Sequence, residues 1–175
     1  MNAEVTPIKT AAETALADAF TRRKAALPGG REVAGLREAA FRRFERSGLP
    51  HRRVEEWKYT DLRSLMRDSK PLAEAPDAGA KAAAKSAGAI LAGIKAHRIV
   101  IVDGCFVPEL SDTAIDGVTV TSFATGTANG ADGFLNSDNP DVVLALNTAL
   151  ATDGAVVRVK SGTAVGRPIQ LVFVH

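Results

Sequence analysis

Ile99-Val100-Ile101-Val102-Asp103-Gly104-Cys105-Phe106-Val107 decides the fold class. Four β-branched residues in a row favour extended backbone, because a branched Cβ crowds a helical turn but sits well on a pleated surface. Asp-Gly is the dipeptide of a two-residue hairpin turn, whose central residues both need positive φ. Cys105–Val107 is then the return strand, limited by Pro108, which has no N–H to give to a ladder. The chain before this hairpin is helical in pattern, so the class is α+β.

Immediately upstream, residues 80–95 (AKAAAKSAGAILAGIK) have high helix propensity from Ala and Lys, weakened by Gly88 and Gly93. Only Ile90, Leu91 and Ile94 are large enough to anchor it. A helix is therefore expected in the C-terminal half of the stretch and a linker in the N-terminal half. Residues 71–80 (PLAEAPDAGA) read as connector.

Further upstream lie two amphipathic helices. Residues 10–27 begin with Thr10 and Glu13, the spacing of a capping box, and place Ala12, Leu16 and Phe20 on one face. Pro28-Gly29-Gly30 ends this helix, and Leu27 folds back onto its stripe. Arg31–Ser47 forms the second helix, with an apolar stripe of Val33, Leu36, Ala40, Phe41 and Phe44. Its Arg37, Arg42, Arg43, Glu45 and Arg46 are expected mostly to point away. Gly48 and Pro50 stop it. The short loop between the helices predicts an antiparallel pair. Two helices bury too little surface alone, and Trp57, Tyr59, Leu62 and Leu65 are the expected cover. Thr60 is the expected cap of a short helix over 61–67.

Downstream of the hairpin, Gly117 precedes a strand at Val118–Val120, and residues 124–139 are loop in composition. Pro140 opens a helix through about Leu150, with Val143, Leu144, Leu146 and Leu150 on its apolar side. Asp153-Gly154 turns into a strand at Ala155–Val159. Pro168 leads into a last strand at Ile169–Phe173, two residues before His175. The expected organisation is a helical region at 1–70, a connector with a weak helix at 71–95, and a small mixed region at 96–175.

The 175 residues carry a net charge of +2, with a marked asymmetry. Residues 1–70 hold 15 Lys and Arg against 10 Asp and Glu; residues 71–175 hold 7 against 10. Acids are interspersed among the bases of the first part, which reads as a solvated helical surface. No apolar run is long enough to span a bilayer, and the first residues lack a secretory pattern. One cysteine excludes an intramolecular disulfide framework. These features point to a cytosolic (cytoplasmic) protein with no membrane association.

The titratable residues do not assemble a site by spacing. His51, His97, His175 and Cys105 match no zinc pattern. Asp103 and Asp153 precede Gly and are turn residues first. There is no Walker A sequence and no GxGxxG after a strand, and Gly29-Gly30 lies between helices. No catalytic, cofactor-binding or metal-binding residue is assigned anywhere in 1–175, and no cofactor is expected. Cys105 reads as a small half-buried hydrophobe.

GLPHRRVEEWKYTDLRSL, residues 48–65, resembles the N-terminal region of the SufB/SufD family of the SUF iron–sulfur cluster assembly system, and of its SufD members in particular. The matching residues are Gly48, Leu49, Pro50, Arg52 or Arg53, Glu55 or Glu56, Trp57, Lys58, Tyr59, Thr60, Leu62 and Leu65. IVIVDGCFVPELSD at 99–112 and LNTALATDGAVVRVKSGTAVGRPIQLVFV at 146–174 are similar to the family's hairpin and to its entrance into a β-helix, in family order. The resemblance implies a non-catalytic, truncated fragment of a scaffold subunit. It implies that 155–159 and 169–173 are the first rungs of a truncated right-handed β-helix. The cluster-forming and ATPase-contacting parts would lie beyond His175. The implied partners are SufB and SufC, through the full-length parent in a SufBCD complex. A final strand left uncovered invites pairing with another chain, so a homo-oligomer through the C-terminal strands is expected.

A second reading makes the chain a nucleic-acid-binding adaptor. In extended backbone Trp57 and Tyr59 would face one way and could stack bases beside Arg52, Arg53 and Lys58. It requires strongly salt-dependent binding, whereas the scaffold reading requires no nucleic-acid affinity. A third reading, a small stand-alone enzyme, lacks an assembled acid/base or nucleophile set.

Overall fold

A computed structural model describes residues 8–91, 93–126 and 140–175, without the side chains of Glu32 and Ile90. The described residues fall into two units, one made of 8–27, 34–72 and 140–150, the other of 28–33, 73–91, 93–126 and 151–175. The chain mixes helix and strand, as α+β requires.

The first unit is helical. Helix α1 (Ala11–Arg23) starts at the expected capping box: Thr10 Oγ1 accepts from Glu13 N–H at 3.2 Å, and Glu13 Oε2 accepts from Thr10 N–H at 2.6 Å. A 3₁₀ turn at Lys24–Ala26 continues it. Helix α2 (Gly30–Ser47) runs antiparallel to α1. Lys9 at the start of α1 pairs with Glu45 near the end of α2 at 3.3 Å, and Lys24 after α1 pairs with Glu38 at 3.2 Å. Between the helices Phe20 and Phe41 stack with centroids 4.2 Å apart, and Phe44 lies 5.8 Å from Phe41.

The cover over this pair differs from the expected one. The core of Leu16, Phe20, Phe41, Phe44 and Leu49 is closed by Val142, Ala145, Ala149 and Leu150, with Leu62 and Met66 at its margin. Trp57 and Tyr59 are not on it, and Leu65 is exposed. The covering residues belong to the helix over Val142–Leu150, which begins after the N-cap Asp141, whose Oδ1 accepts from Val143 and Leu144 N–H. Of the expected apolar side, Val143, Leu146 and Leu150 pack on this core, while Leu144 is exposed and Ala145 and Ala149 face in. Alanine allows close helix approach, and periodicity weighted by side-chain size overlooked it.

Arg37 is a second correction. It was expected at the surface, yet it is 1% exposed, and its guanidinium donates to the carbonyls of Thr148 and Ala149 at 3.1 and 3.2 Å. Those carbonyls end the covering helix and have no intrahelical donor. Burial lowers the Arg37 pKa to about 10, still charged at neutral pH.

The short helix α3 (Leu62–Leu65) is capped by Asp61, not Thr60: Asp61 Oδ1 accepts from Ser64 N–H at 3.0 Å. Helix α4 (Ala78–Ala84), capped by Asp77, occupies the part of 80–95 that was expected to be linker. Ala84 packs with Val100, Val102, Val107 and Val172, whereas Leu91 and Ile94 are exposed. Again a small side chain, fitted closely to a valine surface, anchors the helix.

The second unit holds the strands. β1 (His97–Val102) and β2 (Cys105–Phe106) form the expected hairpin, pairing Ile101 with Phe106 and Val102 with Cys105. Asp103 (φ 48°) and Gly104 (φ 81°) supply the two positive φ values of its turn. β3 (Val118–Ser122) pairs antiparallel with β4 (Ala155–Val159). β5 (Ile169–Val174) pairs parallel with β1, giving the order β2-β1-β5. The consecutive strands β4 and β5 thus lie in different sheets. Ile99, Phe106, Ile115, Val118 and Val120 form the core on one face of β1. A short helix α5 (Phe123–Gly126) follows β3; the rest of the loop expected over 124–139 lies outside the described residues. The covering helix Val142–Leu150 is α6.

Candidate functional site

The segment from Leu49 to Leu65 carries the sole Trp and Tyr and is built of tight turns. Glu55–Trp57 is a single 3₁₀ turn, with Trp57 N–H on the carbonyl of Val54 and Thr60 N–H on that of Trp57, both at 2.9 Å. The backbone is not extended, so the two rings do not share a face. Trp57 is half-buried, while Tyr59 is 92% exposed, with the Lys58 ammonium 5.3 Å from its ring centre. The expectation that Tyr59 helps to cover Phe41 and Phe44 is therefore corrected.

Glu13 holds the start of this segment. Its side chain is only 4% exposed, and Oε1 accepts from Leu49 N–H at 2.7 Å, just after α2 ends. Gly48 is the residue that permits the approach: it has φ 67°, and a Cβ there would stand 2.5 Å from Glu13 Oε1. Arg63 lies 3.9 Å from Glu13 Oε2, donates to the carbonyl of Ile8, and gives its own N–H to Pro50. Burial alone would push the Glu13 carboxyl up. The N–H groups of Thr10 and Leu49, with Arg63, outweigh it and hold the pKa below the ordinary value. The capping-box spacing revealed Glu13 as a helix cap, but nothing in the sequence linked it to Leu49.

Beside this anchor is a cleft of about 580 Å³ whose walls include Pro50, His51, Glu56, Trp57, Asp141 and Val142. His51 Nδ1 accepts from Arg53 N–H at 3.1 Å, so in the neutral ring the hydrogen sits on Nε2. The cleft walls contain no Lys or Arg.

In the second unit, Asp153 does more than open a turn. Its carboxylate accepts from Phe106 N–H at 3.0 Å, Ser122 Oγ at 2.7 Å and Ala124 N–H at 3.0 Å. It thereby ties β2, β3 and α5 together. Cys105 is buried, with Sγ 3.7 Å from the carbonyl of Glu74. Burial, then Asp153 and Asp103, raise its thiol pKa, the opposite of what a nucleophilic thiolate needs. His97 is buried at the start of β1 beside Arg167, with 3.2 Å between Nδ1 and the guanidinium. Among the described residues no group of three or more His, Cys, Asp and Glu side chains could hold a metal ion. None of the described helices is long and apolar enough to cross a membrane.

Among the described residues the C-terminal strand is an edge strand of its sheet. β1 occupies one side of β5, with His97 N–H on the carbonyl of Pro168 at 2.8 Å and Asp103 N–H on that of Val174 at 2.9 Å. Parallel pairing alternates along a strand, so the N–H groups of Ile169, Leu171 and Phe173 point to the other side. The side chains of Leu171 and Phe173 are 51% and 64% exposed.

The family model of the SufBD protein N-terminal region matches residues 10–171, from the α1 cap to the middle of β5. The chain belongs to the SufBD family. It is similar to an iron–sulfur cluster assembly SufBD family protein of Synechocystis sp., with 33% identity over 132 residues, 71% of this chain and 28% of that protein. It is also similar to the iron–sulfur cluster assembly protein SufD of Escherichia coli, with 28% identity over 129 residues, 74% of this chain and 28% of that protein. The chain therefore spans only about a quarter to a third of the length of these SufBD relatives.

Proposed function

We propose that the chain is the N-terminal segment of a non-catalytic scaffold subunit of SUF iron–sulfur cluster assembly. The match of the family model over residues 10–171 carries this reading. The iron–sulfur assembly role named for both relatives agrees with it. On this reading the parent works in the cytosol with the homologous scaffold SufB and the ATPase SufC. The segments that form clusters and meet the ATPase follow His175. The edge of β5, with its outward N–H groups and exposed Leu171 and Phe173, is where the following scaffold strands dock as the next rung of a β-helix. An indole in an acid-lined cleft and the turn-rich backbone of 55–60 do not favour the base-stacking alternative, because phosphates avoid carboxylates.

The test is affinity purification of the full-length parent from its own cells under anaerobic conditions. The proposal expects a homologous scaffold and an ATPase to co-purify in stoichiometric amounts. Recovery of the folded parent with neither of them contradicts it.

A further inference from the structure

The cleft beside Trp57 has features that the assembly reading leaves unused. Its walls include the half-buried Trp57, and apolar wall is supplied by Leu49, Pro50 and Val142. Its charged wall is acidic, from Glu56 and Asp141. Asp141 is engaged as the cap of α6, so Glu56 is the group to consider. Glu56 is exposed and forms no hydrogen bond or ion pair among the described residues, whereas neighbouring Glu55 is paired with Lys58 and Arg52 with Asp61.

An indole and an unpaired carboxylate on the walls of one cleft are together complementary to a planar cation. A guanidinium stacks on indole through the ring quadrupole and gives paired N–H groups to a carboxylate, which an ammonium does less well. The volume of about 580 Å³ exceeds what one arginine side chain fills and leaves room for an apolar neighbour against Leu49 and Val142. Residues 1–7 (MNAEVTP) and 127–139 (TANGADGFLNSDN) contain no Lys or Arg, so neither segment of this chain supplies such a side chain.

We infer that this cleft is a docking site for an arginine-bearing segment of a partner protein, with the guanidinium between Trp57 and Glu56 and an adjacent apolar residue on the Leu49–Val142 wall. The inference stands on the geometry of the first unit and does not depend on which assembly the parent joins.

Trp57 is the only tryptophan, so its fluorescence reports the cleft directly. The chain is titrated with acetyl-leucyl-arginine amide and, in parallel, with the isosteric neutral acetyl-leucyl-citrulline amide; N-acetyltryptophanamide serves as the control for collisional quenching. The expected result is a saturable change with the arginine peptide and at least about tenfold weaker binding of the citrulline peptide, the effect of losing a charge-assisted pair. Glu56→Gln, a surface substitution that leaves folding intact, should bring the two peptides to within about twofold of each other. Equal binding of both peptides to the parent sequence, or a response no larger than that of N-acetyltryptophanamide, overturns the inference. So does unchanged discrimination in Glu56→Gln.

Discussion

Glu13 is a helix cap, the acceptor for Leu49 N–H and the partner of Arg63, all from a site shielded from solvent. Its folded-state pKa lies below the ordinary 4.5, so the ionised form is bound better in the folded chain than in the unfolded one. That contribution is fully present above about pH 4.5 and is lost as pH falls through the lower folded value. Glu13→Gln keeps the shape but not the charge. It should cost about 1.5–3 kcal/mol at pH 7, the range for hydrogen bonds to a charged group, and should flatten the decline of the melting midpoint on acidification below pH 4.5. Thermal unfolding of the two proteins between pH 3 and pH 7, roughly spanning carboxylate titration, checks both. An equally steep acid decline in the variant contradicts this role. Asp153 is the counterpart in the second unit. Asp153→Ala leaves Phe106 and Ala124 N–H without their acceptor, and a loss of about 2–4 kcal/mol is expected from denaturant titration. Neither hub could be read from the sequence beyond its local motif, because each bonds to residues distant along the chain.

At the scale of elements, strong local signals were legible and tertiary choices were not. The capping box at Thr10, the Asp103-Gly104 hairpin and the strands at 118, 155 and 169 needed only nearest-neighbour chemistry. The cover of the α1–α2 core is not legible from side-chain size, because Ala145 and Ala149 of α6 close it by near approach rather than by bulk. Ala84 in α4 was missed for the same reason. The buried Arg37 was legible only as a charge on an amphipathic helix, since its purpose lies in the carbonyls of Thr148 and Ala149. This arrangement separates two aromatic truncations. Phe44→Ala removes a fully buried ring and should cost about 3–5 kcal/mol. Trp57→Ala removes a half-buried ring at an open cleft and should cost less than about 2 kcal/mol. Chemical denaturation of both variants decides it, and a Trp57→Ala loss as large as that of Phe44→Ala would restore the indole to the core.

At the scale of the whole molecule, the resemblance in the 48–65 segment and the two downstream stretches pointed to the family that the model over 10–171 shows. The acid-lined cleft was not legible, because it joins His51, Glu56 and Trp57 to Asp141 across most of the first unit's sequence. The edge of β5 has a consequence for the 175-residue chain in isolation. Exposed strand edges with apolar side chains pair with other chains. Concentration-dependent association is expected by light scattering, and Leu171→Lys with Phe173→Lys should abolish it without unfolding, since both side chains are exposed. Persistence of the same association in the double variant contradicts pairing through this edge.

β5 is proposed above to be continued by further scaffold strands in the parent protein. Residue-resolved amide hydrogen exchange, compared between the 175-residue chain at low concentration and the full-length parent, measures this directly. The account predicts rapid exchange at Leu171 and Phe173 in the short chain and strong protection of the same two amides in the parent. The inward-facing amides of Gln170 and Val172, paired with β1, should be protected in both. Rapid exchange at Leu171 and Phe173 in the parent as well would contradict it.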